Sequence, residues 1–454
     1  MNILAIESSC DETAAAVVKD GHEVLSNVVA SQIDIHAKYG GVVPEVAARA
    51  HVQAIIPVVE EALRLSACPA HCNGVGVIPT DSTKVASGGI PFSWDNIDAI
   101  AVTQGPGLVG SLIVGTETAR TLSILKNKPL IAVNHLEGHI YANFIRSNPK
   151  SEFLISKQAP SSKSQNKDPH SDHSSVTSAL SVIPAPDRVE GKTPAGIQTS
   201  KKLDSRLHGN DNVIENDNVS GNNNTSVPQF PLIALLVSGG HTMLIHMKKH
   251  YSFEVIGSTR DDAAGEAFDK VAALLGLPYP GGPNISKLAK TGDETQYKFP
   301  IIDLTAEPKR NSEGFLEYPE LSLDFSLSGL KTAVLNVVKT CKGQALAKGG
   351  HLQADIAASF QKTLVDTLVQ NSRRAIEKYQ PKSFILSGGV AANPLLRREL
   401  EQLCKELKVE FSMPDLKYCT DNAAMIGAAA YYKQKEFGFT EAKELTPNPN
   451  LKLA

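Results

Sequence analysis

The chain has 454 residues and a formal net charge of −3, and 42 % of its residues are apolar. This length predicts more than one domain, and the apolar fraction is that of a soluble globular protein with a sizeable core. A net charge of −3 gives no indication of a nucleic-acid partner, although a local basic patch would not be visible in the net charge.

Targeting signals are absent from the sequence as given. The chain opens "MNILAIESSCDET", which predicts a strand and a polar turn, with no basic start and apolar stretch of a signal peptide. No run approaches the ~18 apolar residues of a membrane span. The six cysteines are spread along the chain, which indicates reduced thiols. We therefore expect a cytoplasmic protein that has no contact with a membrane.

Strands and helices alternate in the first part of the chain. Residues 2–6 and 14–19 are predicted strands, and Asp20-Gly21 is a hairpin turn after the second. A long amphipathic helix is predicted for "EVAARAHVQAIIPVVEEALRLS". Then follow a strand, "IDAIAVTQGPG", a helix, "SLIVGTETARTLSILKNK", and a short strand, "PLIAV". This last strand leads directly into "VNHLEGHI", which contains two histidines.

Residues 147–230 are predicted to be a disordered, low-complexity insertion. Ser, Asn, Asp, Lys and Pro dominate this segment, and no aromatic residue lies between Phe153 and Phe230. Such a stretch cannot bury enough apolar surface to offset its ordering entropy. A smaller insertion is predicted at 68–92. The prediction therefore has an N-terminal lobe at 1–146 and a C-terminal lobe at 231–454, whose last helix is a candidate to pack back on the first lobe.

The second lobe repeats the pattern of the first. "LIALLVSGGHTMLIHM" predicts a strand, a Ser-Gly-Gly turn and a strand, and "KSFILSGGVAANPLLRRELEQLCKEL" predicts a strand, Ser-Gly-Gly and a helix. Long helices are predicted for "AAGEAFDKVAALLGL" and "QADIAASFQKTLVDTLVQNSRRAIEKY". Alternating strands and helices predict an α/β fold, and the repeated turn suggests two related halves.

Glycine-rich turns after predicted strands are candidates for anion binding. Two are identical, Ser238-Gly239-Gly240 and Ser387-Gly388-Gly389, and "GPGLVGS" at 105–111 and "YPGGP" at 279–283 are further candidates. Glycine lets the backbone approach a ligand, and free N–H groups at such a turn cradle a phosphate. One such turn alone would be an ordinary tight turn, but four favour a nucleotide. None matches the Walker pattern or G-x-G-x-x-G.

Several polar residues each have a structural and a functional interpretation. Glu7, Asp11 and Glu12 in "ESSCDETAAAV" lie at the end of the first strand, either as a solvated hairpin or as part of a site. Asp269 and Lys270 fit a helix-surface ion pair. The remaining two, Asn393 and Asp421, each precede a predicted helix, so each is either a helix cap or a ligand-binding residue.

His135 and His139 are four residues apart, so on a helix both imidazoles face the same side and could bind one metal ion. Zinc peptidases place a glutamate next to one of the two histidines. Here Glu137 is two residues from each and would point away from both. This spacing keeps a metal site possible and weakens the peptidase interpretation.

Taken together, these motifs closely resemble the universal tRNA threonylcarbamoyladenosine synthase family, whose bacterial members were once named O-sialoglycoprotein endopeptidases. The resemblance covers residues 1 to about 436, apart from the two insertions. It rests on the following stretches, in this order: "ESSCDETAAAVV", "YGGVVPEVAARAH", "TQGPGLVGSLIVG", "NHLEGHIYA", "LLVSGGHTMLI", "DDAAGEAFDKVAALLGLPYPGGP", "LDFSLSGLKTAV", "LSGGVAANPLLR" and "CTDNAAMIG".

This resemblance implies a fold like that of actin, Hsp70 and sugar kinases, with two ribonuclease-H-like lobes around a nucleotide cleft. It implies that His135, His139 and Asp421 ligate one divalent metal, with Fe²⁺ expected and Zn²⁺ as the alternative. The residues implied to hold the nucleotide-linked substrate are Leu236, Val237, Ser238, Gly239, Gly240, Asp269, Gly282 and Asn393.

The implied reaction transfers a threonylcarbamoyl group from threonylcarbamoyl-AMP to the exocyclic amine of the adenosine 3′ of the anticodon in tRNA. We hypothesise that Asp11 or Glu12 accepts the proton. The resemblance also implies a complex with a non-catalytic paralogue and a small P-loop ATPase. The alternatives are a metal-dependent endopeptidase and a non-catalytic, ATPase-like scaffold.

Overall fold

A computed structural model of this protein contains two large mixed β-sheets, one in each of two lobes. The described residues are 1–66, 94–146, 152–156, 227–304, 309–310, 316–317, 321–341 and 351–453. No helix among these residues is long and apolar enough to cross a membrane.

The first lobe consists of a six-stranded sheet and four helices. Its elements are β1 (Asn2–Glu7), β2 (Glu12–Lys19), β3 (Glu23–Ser31), α1 (Ile33–His36), α2 (Pro44–Ser66), β4 (Ala99–Gly105), α3 (Val109–Lys126), β5 (Leu130–Asn134), α4 (His135–Tyr141) and β6 (Glu152–Ser156). The strand order is β5-β4-β1-β2-β3-β6. Asp20 and Gly21 both have positive φ, which confirms the predicted hairpin turn.

The second lobe contains a five-stranded sheet, a short two-stranded sheet and six helices. Its elements are β7 (Leu232–Val237), β8 (Thr242–Met247), β9 (Phe253–Ser258), α5 (Ala264–Leu274), α6 (Gly281–Ala289), β10 (Lys309–Arg310), β11 (Leu316–Glu317), α7 (Ser328–Cys341), α8 (His351–Tyr379), β12 (Ser383–Ser387), α9 (Pro394–Leu407), β13 (Glu410–Ser412) and α10 (Ala423–Phe437). The order in the larger sheet is β13-β12-β7-β8-β9.

The two large sheets repeat one topology. In each, the first three strands pair antiparallel, and two later strands add in parallel on the other side of the first strand. The first sheet has one further strand, β6, beside β3. A five-stranded mixed sheet in this order is ribonuclease-H-like. The predicted α/β fold with two lobes of ribonuclease-H-like topology is confirmed.

Alternating side chains divide the core into layers. In β1, Leu4 and Ile6 face the side covered by α2 and α3, whereas Ile3 and Ala5 face the opposite side. That opposite side belongs to a cluster that also includes Leu236 of the second sheet. Because strand residues alternate between faces, each sheet has one face toward the other lobe and one toward its own outer helices.

Helix α10 lies in the layer between the two sheets. It follows the second lobe in sequence, yet it packs against β1 to β5 and α4 of the first. The side chain of Ile426 is fully buried there. Gly427 lets the helix approach β2 closely, because a Cβ at this position would lie 2.6 Å from Val18 Cγ2. Small residues dominate the helix for this reason, in the run "AAMIGAAA".

The structure moves the predicted boundaries of the large insertion. Residues 152–156 form β6, which pairs in parallel with β3, so the first lobe extends beyond residue 146. At the other end, residues 227–230 are described and lead into β7. The strand at 152–156 escapes a compositional argument because it pairs with a strand from elsewhere in the chain. The rest of the predicted insertion, and the smaller one at 68–92, lie outside the described residues.

A truncation inside the layer between the sheets tests this packing. We expect Ile426→Ala to lower the free energy of unfolding by about 2–5 kcal/mol, because the side chain is fully buried and a cavity remains. The matched control is Ile56→Ala on α2, where the side chain is 48 % exposed and the change should stay within about 1 kcal/mol. Urea denaturation measures both, and equal losses would contradict the proposed layer.

Candidate metal centre and adenylate site

Helix α4 carries both histidines of the sequence motif and starts directly at the end of β5. Asn134 caps it, since its side-chain oxygen accepts a hydrogen bond from Leu136 N at 2.9 Å. Glu137 completes a capping box by accepting from Asn134 N. His135 and His139 therefore lie one turn apart, with ring centroids separated by 4.7 Å. The predicted helical arrangement of the pair is confirmed.

Asp421 meets the two histidines from the distant end of the chain. It lies two residues before α10, and its Oδ1 is 3.5 Å from His135 Nε2 and 3.2 Å from His139 Nε2. One ligand atom from each residue falls within 4.8 Å of the others. Within the described residues, no other group of three or more His, Cys, Asp or Glu meets that condition.

His139 supplies an observation that fits a metal ion. The residue is 1 % exposed, its Nδ1 has no hydrogen-bond partner, and its Nε2 has only the 3.2 Å contact with Asp421 Oδ1, which lacks hydrogen-bond geometry. Buried polar atoms are nearly always paired, so an unpaired imidazole calls for an explanation. Two imidazoles and one carboxylate are ordinary ligands of a divalent transition metal, and they leave coordination positions open. The residues present therefore fit a catalytic metal.

A buried carboxylate, that of Glu7, contacts the ring nitrogen of His135 that does not face Asp421. This nitrogen, Nδ1, lies 3.1 Å from Glu7 Oε2 and 3.1 Å from Ser9 Oγ, and Glu7 also accepts from Thr103 Oγ1. Burial lowers the pKa of His135, but the charges of Asp421 and Glu7 outweigh it and raise the pKa to about 9. With Nδ1 engaged in this way, Nε2 is the nitrogen that faces Asp421.

The acidic loop after β1 lies beside this cluster. Asp11 is buried, and Glu12 accepts a hydrogen bond from Ser31 Oγ at 3.2 Å. Burial, together with the charges of Asp11 and Asp421, raises the pKa of Glu12 well above its usual range. These groups form part of one electrostatic site, so the interpretation as a merely solvated hairpin is wrong.

On the side of the second lobe, a Ser-Gly-Gly turn follows β7. Added Cβ atoms at Gly239 and Gly240 would meet nothing within 4 Å, and both residues are exposed. Gly265 N, in the first turn of α5, donates to Ser238 O at 3.1 Å. The turn thus lies in open space at the start of a helix, an arrangement that suits a phosphate. Leu236 and Val237 are fully buried, so only their backbone can reach a ligand.

His241 connects this turn to the histidine pair. Burial and the charges of His135 and His139 lower its pKa to about 4. Across the cleft, burial and the charge of Asp11 raise the pKa of Asp269, although Gly281 N opposes this by donating to the carboxylate. The acidic loop, the histidine pair and the second lobe's loops are therefore within electrostatic reach of one another.

Three of the predicted substrate-binding residues have different surroundings. Asp269 Oδ1 accepts from Gly281 N at 2.7 Å and so orders the start of α6, whereas Gly282 lies in open space. Asn393 caps α9 through Leu396 N at 3.1 Å, and its amide nitrogen donates to two further side chains, those of Ser286 and Gln361. Its capping role is confirmed, and its amide is already engaged without a ligand.

Two charged residues are structural. Lys270 forms ion pairs with Asp262 and with Glu266, each at 2.7 Å, and not with Asp269, so the partner expected for it was wrong. Glu137 is buried and accepts from Asn134 N and from Lys433 Nζ, each at 3.2 Å. Glu137 thus fastens α4 to α10 and is not placed to activate water at the histidine pair.

Comparison with known proteins identifies the family. A model of the tRNA N6-adenosine threonylcarbamoyltransferase family (TsaD) matches residues 23–73, 86–156 and 212–428. The chain belongs to this family. A relative from Clostridium botulinum (strain Kyoto / Type A2) that bears the family's name is 40 % identical over 455 residues, covering 100 % of this chain and 98 % of the relative.

Two further relatives of the same name extend the comparison. The protein from Caldicellulosiruptor saccharolyticus is 41 % identical, covering 95 % of this chain and 93 % of its own length. The protein from Staphylococcus carnosus is 40 % identical, covering 95 % of this chain and 90 % of its own. Similarity to threonylcarbamoyltransferases therefore spans both lobes.

Sequence reasoning did not assign three residues beside the histidine pair. Glu7 was considered only as part of an acidic loop, and neither Ser9 nor His241 was singled out. Glu7 follows a buried strand and is itself fully buried, and an acidic residue at such a strand end is the available signal. For His241 the signal is its position directly after a Ser-Gly-Gly turn.

Two adjacent glycines in the second Ser-Gly-Gly turn provide a matched test of how closely this turn packs against β7. Gly388 has φ +90°, and a Cβ there would lie 2.3 Å from Val237 O, whereas a Cβ on Gly389 would meet nothing within 4 Å. We expect Gly388→Ala to destabilise the protein by about 1–3 kcal/mol and to weaken AMP binding, because β7 and its turn must shift. Gly389→Ala should be near neutral. Calorimetry of AMP binding and thermal unfolding measure both, and equal behaviour would contradict the close approach.

Proposed function

We propose that this protein transfers a threonylcarbamoyl group from threonylcarbamoyl-AMP to the N6 amine of the adenosine at position 37 of tRNAs that read ANN codons, releasing AMP. The observation that carries the proposal is the convergence of His135, His139 and Asp421 in a chain of this family, with an open Ser-Gly-Gly turn followed directly by His241, whose pKa the histidine pair helps to lower. A metal site next to an anion site suits an acyl group linked to a nucleotide.

We propose that His135, His139 and Asp421 hold one divalent metal, with Fe²⁺ favoured and Zn²⁺ as the alternative. Two histidines and one carboxylate with open positions are the ligand set of many non-haem iron sites, and zinc accepts the same donors. When bound, the metal would supply Lewis acidity toward the carbonyl of the threonylcarbamoyl group. Glu7 fixes the ring of His135 for this role through the contact at Nδ1.

The adenylate is proposed to lie along the second lobe, with its phosphate at Ser238, Gly239 and Gly240. Free backbone N–H groups there, at the start of α5, would stabilise the charge that develops on departing AMP. The backbone of Leu236 and Val237 leads into the turn. Asp269, Gly282 and Asn393 are proposed to shape the rest of the pocket, and the first and last of these also order helices α6 and α9.

The transfer itself needs a proton acceptor. The adenosine amine attacks the carbamoyl carbon, a C–N bond forms, the bond from that carbon to the phosphate oxygen breaks, and AMP leaves. The amine proton must pass to the protein or to water. Of the two candidates, Glu12 is favoured over Asp11, because a carboxylate whose pKa is raised is a stronger base.

Conservative variants test the proton acceptor. We expect Glu12→Gln to reduce the transfer rate by about 10²- to 10⁴-fold while binding of threonylcarbamoyl-AMP stays within a few-fold, as loss of a general base requires. Asp11→Asn should have the smaller effect. Single-turnover kinetics measure the rate, and normal rates in both variants would remove these carboxylates from the mechanism.

tRNA is the substrate named for the family, and an anticodon loop presents its bases with little unstacking cost. The paralogue and the P-loop ATPase stay predictions from the resemblance. Exposed apolar side chains on α2 and α3, among them Val52, Ile56 and Ile113, support binding of a protein partner. The cytoplasmic location also stays a prediction.

The alternatives have less support. The endopeptidase interpretation needs a general base beside the metal, and Glu137 is bound to Asn134 N and Lys433 Nζ instead. A non-catalytic scaffold would not need a metal site, so this interpretation does not explain why two histidines and a carboxylate converge.

Reconstitution tests the proposed function. The full chain, the partner proteins, threonylcarbamoyl-AMP and unmodified tRNA are combined, and nucleosides are analysed by mass spectrometry. We expect modified adenosine from the wild type, and loss of at least about 10²-fold for His139→Ala, in which a metal ligand is missing. The control is His22→Ala, whose ring bonds only Asp20 O at 2.8 Å among the described residues and which should retain full activity. No modified adenosine from the wild type would refute the proposal.

A further inference from the structure

After α10 the chain runs back over the first lobe as a strap, defined here as residues 438–453. The strap first meets the edge strand β5, which leads into His135. Thr440 N donates to Leu130 O at 2.7 Å, and Ala132 N donates to Thr440 Oγ1 at 3.0 Å. An edge strand presents unpaired backbone groups, so this short pairing fixes where the strap begins.

The middle of the strap is anchored in the core of the first lobe. Leu445 is fully buried and belongs to the cluster between the sheet and helices α2 and α3. The guanidinium of Arg120, on α3, donates to Ala442 O and to Leu445 O. A buried leucine and two hydrogen bonds to one arginine hold this segment in a single position.

The next residues of the strap bind the loop after β4. Asn448 N donates to Gln104 O at 2.8 Å, and Gly107 N donates to Pro449 O at 3.2 Å. The approach is so close that a Cβ on Gly105 would lie 1.8 Å from Asn448 O. The strap therefore constrains the backbone conformation of this loop.

That loop in turn contacts the support of His135. Leu108 N donates to Ser9 O at 2.7 Å, and the hydroxyl of Ser9 lies 3.1 Å from His135 Nδ1. Hydrogen bonds and the short stretches of backbone between them thus link the strap, through the loop after β4 and Ser9, to the nitrogen of His135 that faces away from Asp421.

The end of the strap reaches the same helix by a second route. Asn134 Nδ2 donates to Lys452 O at 2.9 Å, while Asn134 Oδ1 caps α4 through Leu136 N. Leu453 packs against the cluster between the sheets. Both polar atoms of the capping side chain are therefore used, one for the helix and one for the strap.

We propose that the C-terminal strap is a positioning element for the metal centre, which holds His135 in place through the loop after β4 and through the cap at Asn134. The inference rests on the metal site of the proposed function. Helix α4 has only seven residues, too few for an isolated helix to be stable, and His135 is its first residue, where helices fray. Contacts from outside the helix must supply the missing order.

A matched pair of variants in the full chain tests the first route. Asn448→Pro removes the N–H that binds Gln104 O, whereas Asn448→Ala removes the same side chain and keeps that N–H. We expect Asn448→Pro to weaken Co²⁺ binding about tenfold, the lower end of the loss when outer partners of metal ligands are removed, and to alter the visible absorption of bound Co²⁺. Asn448→Ala should match the wild type in both measurements.

Asn134→Ser tests the second route. Serine is a good helix cap, but its hydroxyl is too short to reach Lys452 O as well. We expect a similar, about tenfold, loss of Co²⁺ affinity with helix content unchanged by circular dichroism. This variant also decides the question if Asn448→Pro does not fold.

The outcomes separate this inference from the metal assignment. Absence of Co²⁺ binding in the wild type, or unchanged binding in His139→Ala, would refute the metal site itself. Wild-type Co²⁺ affinity and spectra in Asn134→Ser and folded Asn448→Pro would overturn the strap's role while leaving the metal site intact. The same holds if these variants only lower the melting temperature.

Discussion

The site depends on the burial of α10 between the two sheets. Asp421 lies just before this helix, and His135 and His139 lie on α4, which packs against it. The carboxylate therefore reaches the imidazoles because an apolar helix occupies the layer between the lobes, and the ion pair from Lys433 to Glu137 fastens the two helices beside the site. Asp421, from the far end of the chain, is thus brought to the histidine pair by the packing of α10.

Charge balance explains why Glu7 is buried beside this cluster. Taking a carboxylate out of water is costly unless it is paired, and here two carboxylates, Glu7 and Asp421, flank one imidazole. The charge of His135 lowers the pKa of both, against the effect of burial, to about 2 for Asp421. A divalent cation would match two negative charges with neutral imidazoles, so this arrangement of acids suits a metal site.

Sequence periodicity was sufficient for most strands and helices, because each sheet strand has its own buried run and each helix its own apolar face. The histidine pair was predicted for the same local reason, a spacing of four residues. From the sequence, Asp421 was either a helix cap or a ligand-binding residue, and only the family resemblance assigned it to the histidine pair, since no local pattern links it to a histidine 282 residues earlier. Glu7, His241 and strand β6 depend on tertiary neighbours, which a single sequence does not display.

The two Ser-Gly-Gly turns show how far an identical motif can diverge in use. In chain order, the first turn follows β7, the first strand of its sheet, and the second lies at the end of β12, the fourth strand of the same sheet. From the sequence alone, both turns were candidates for anion binding. In the structure Gly239 and Gly240 lie in open space beside His241, whereas Gly388 is packed onto Val237 O with φ +90°. The second turn therefore supports the strand that presents the first. A duplicated fold can in this way leave one copy of a motif open and use the other to hold it in place.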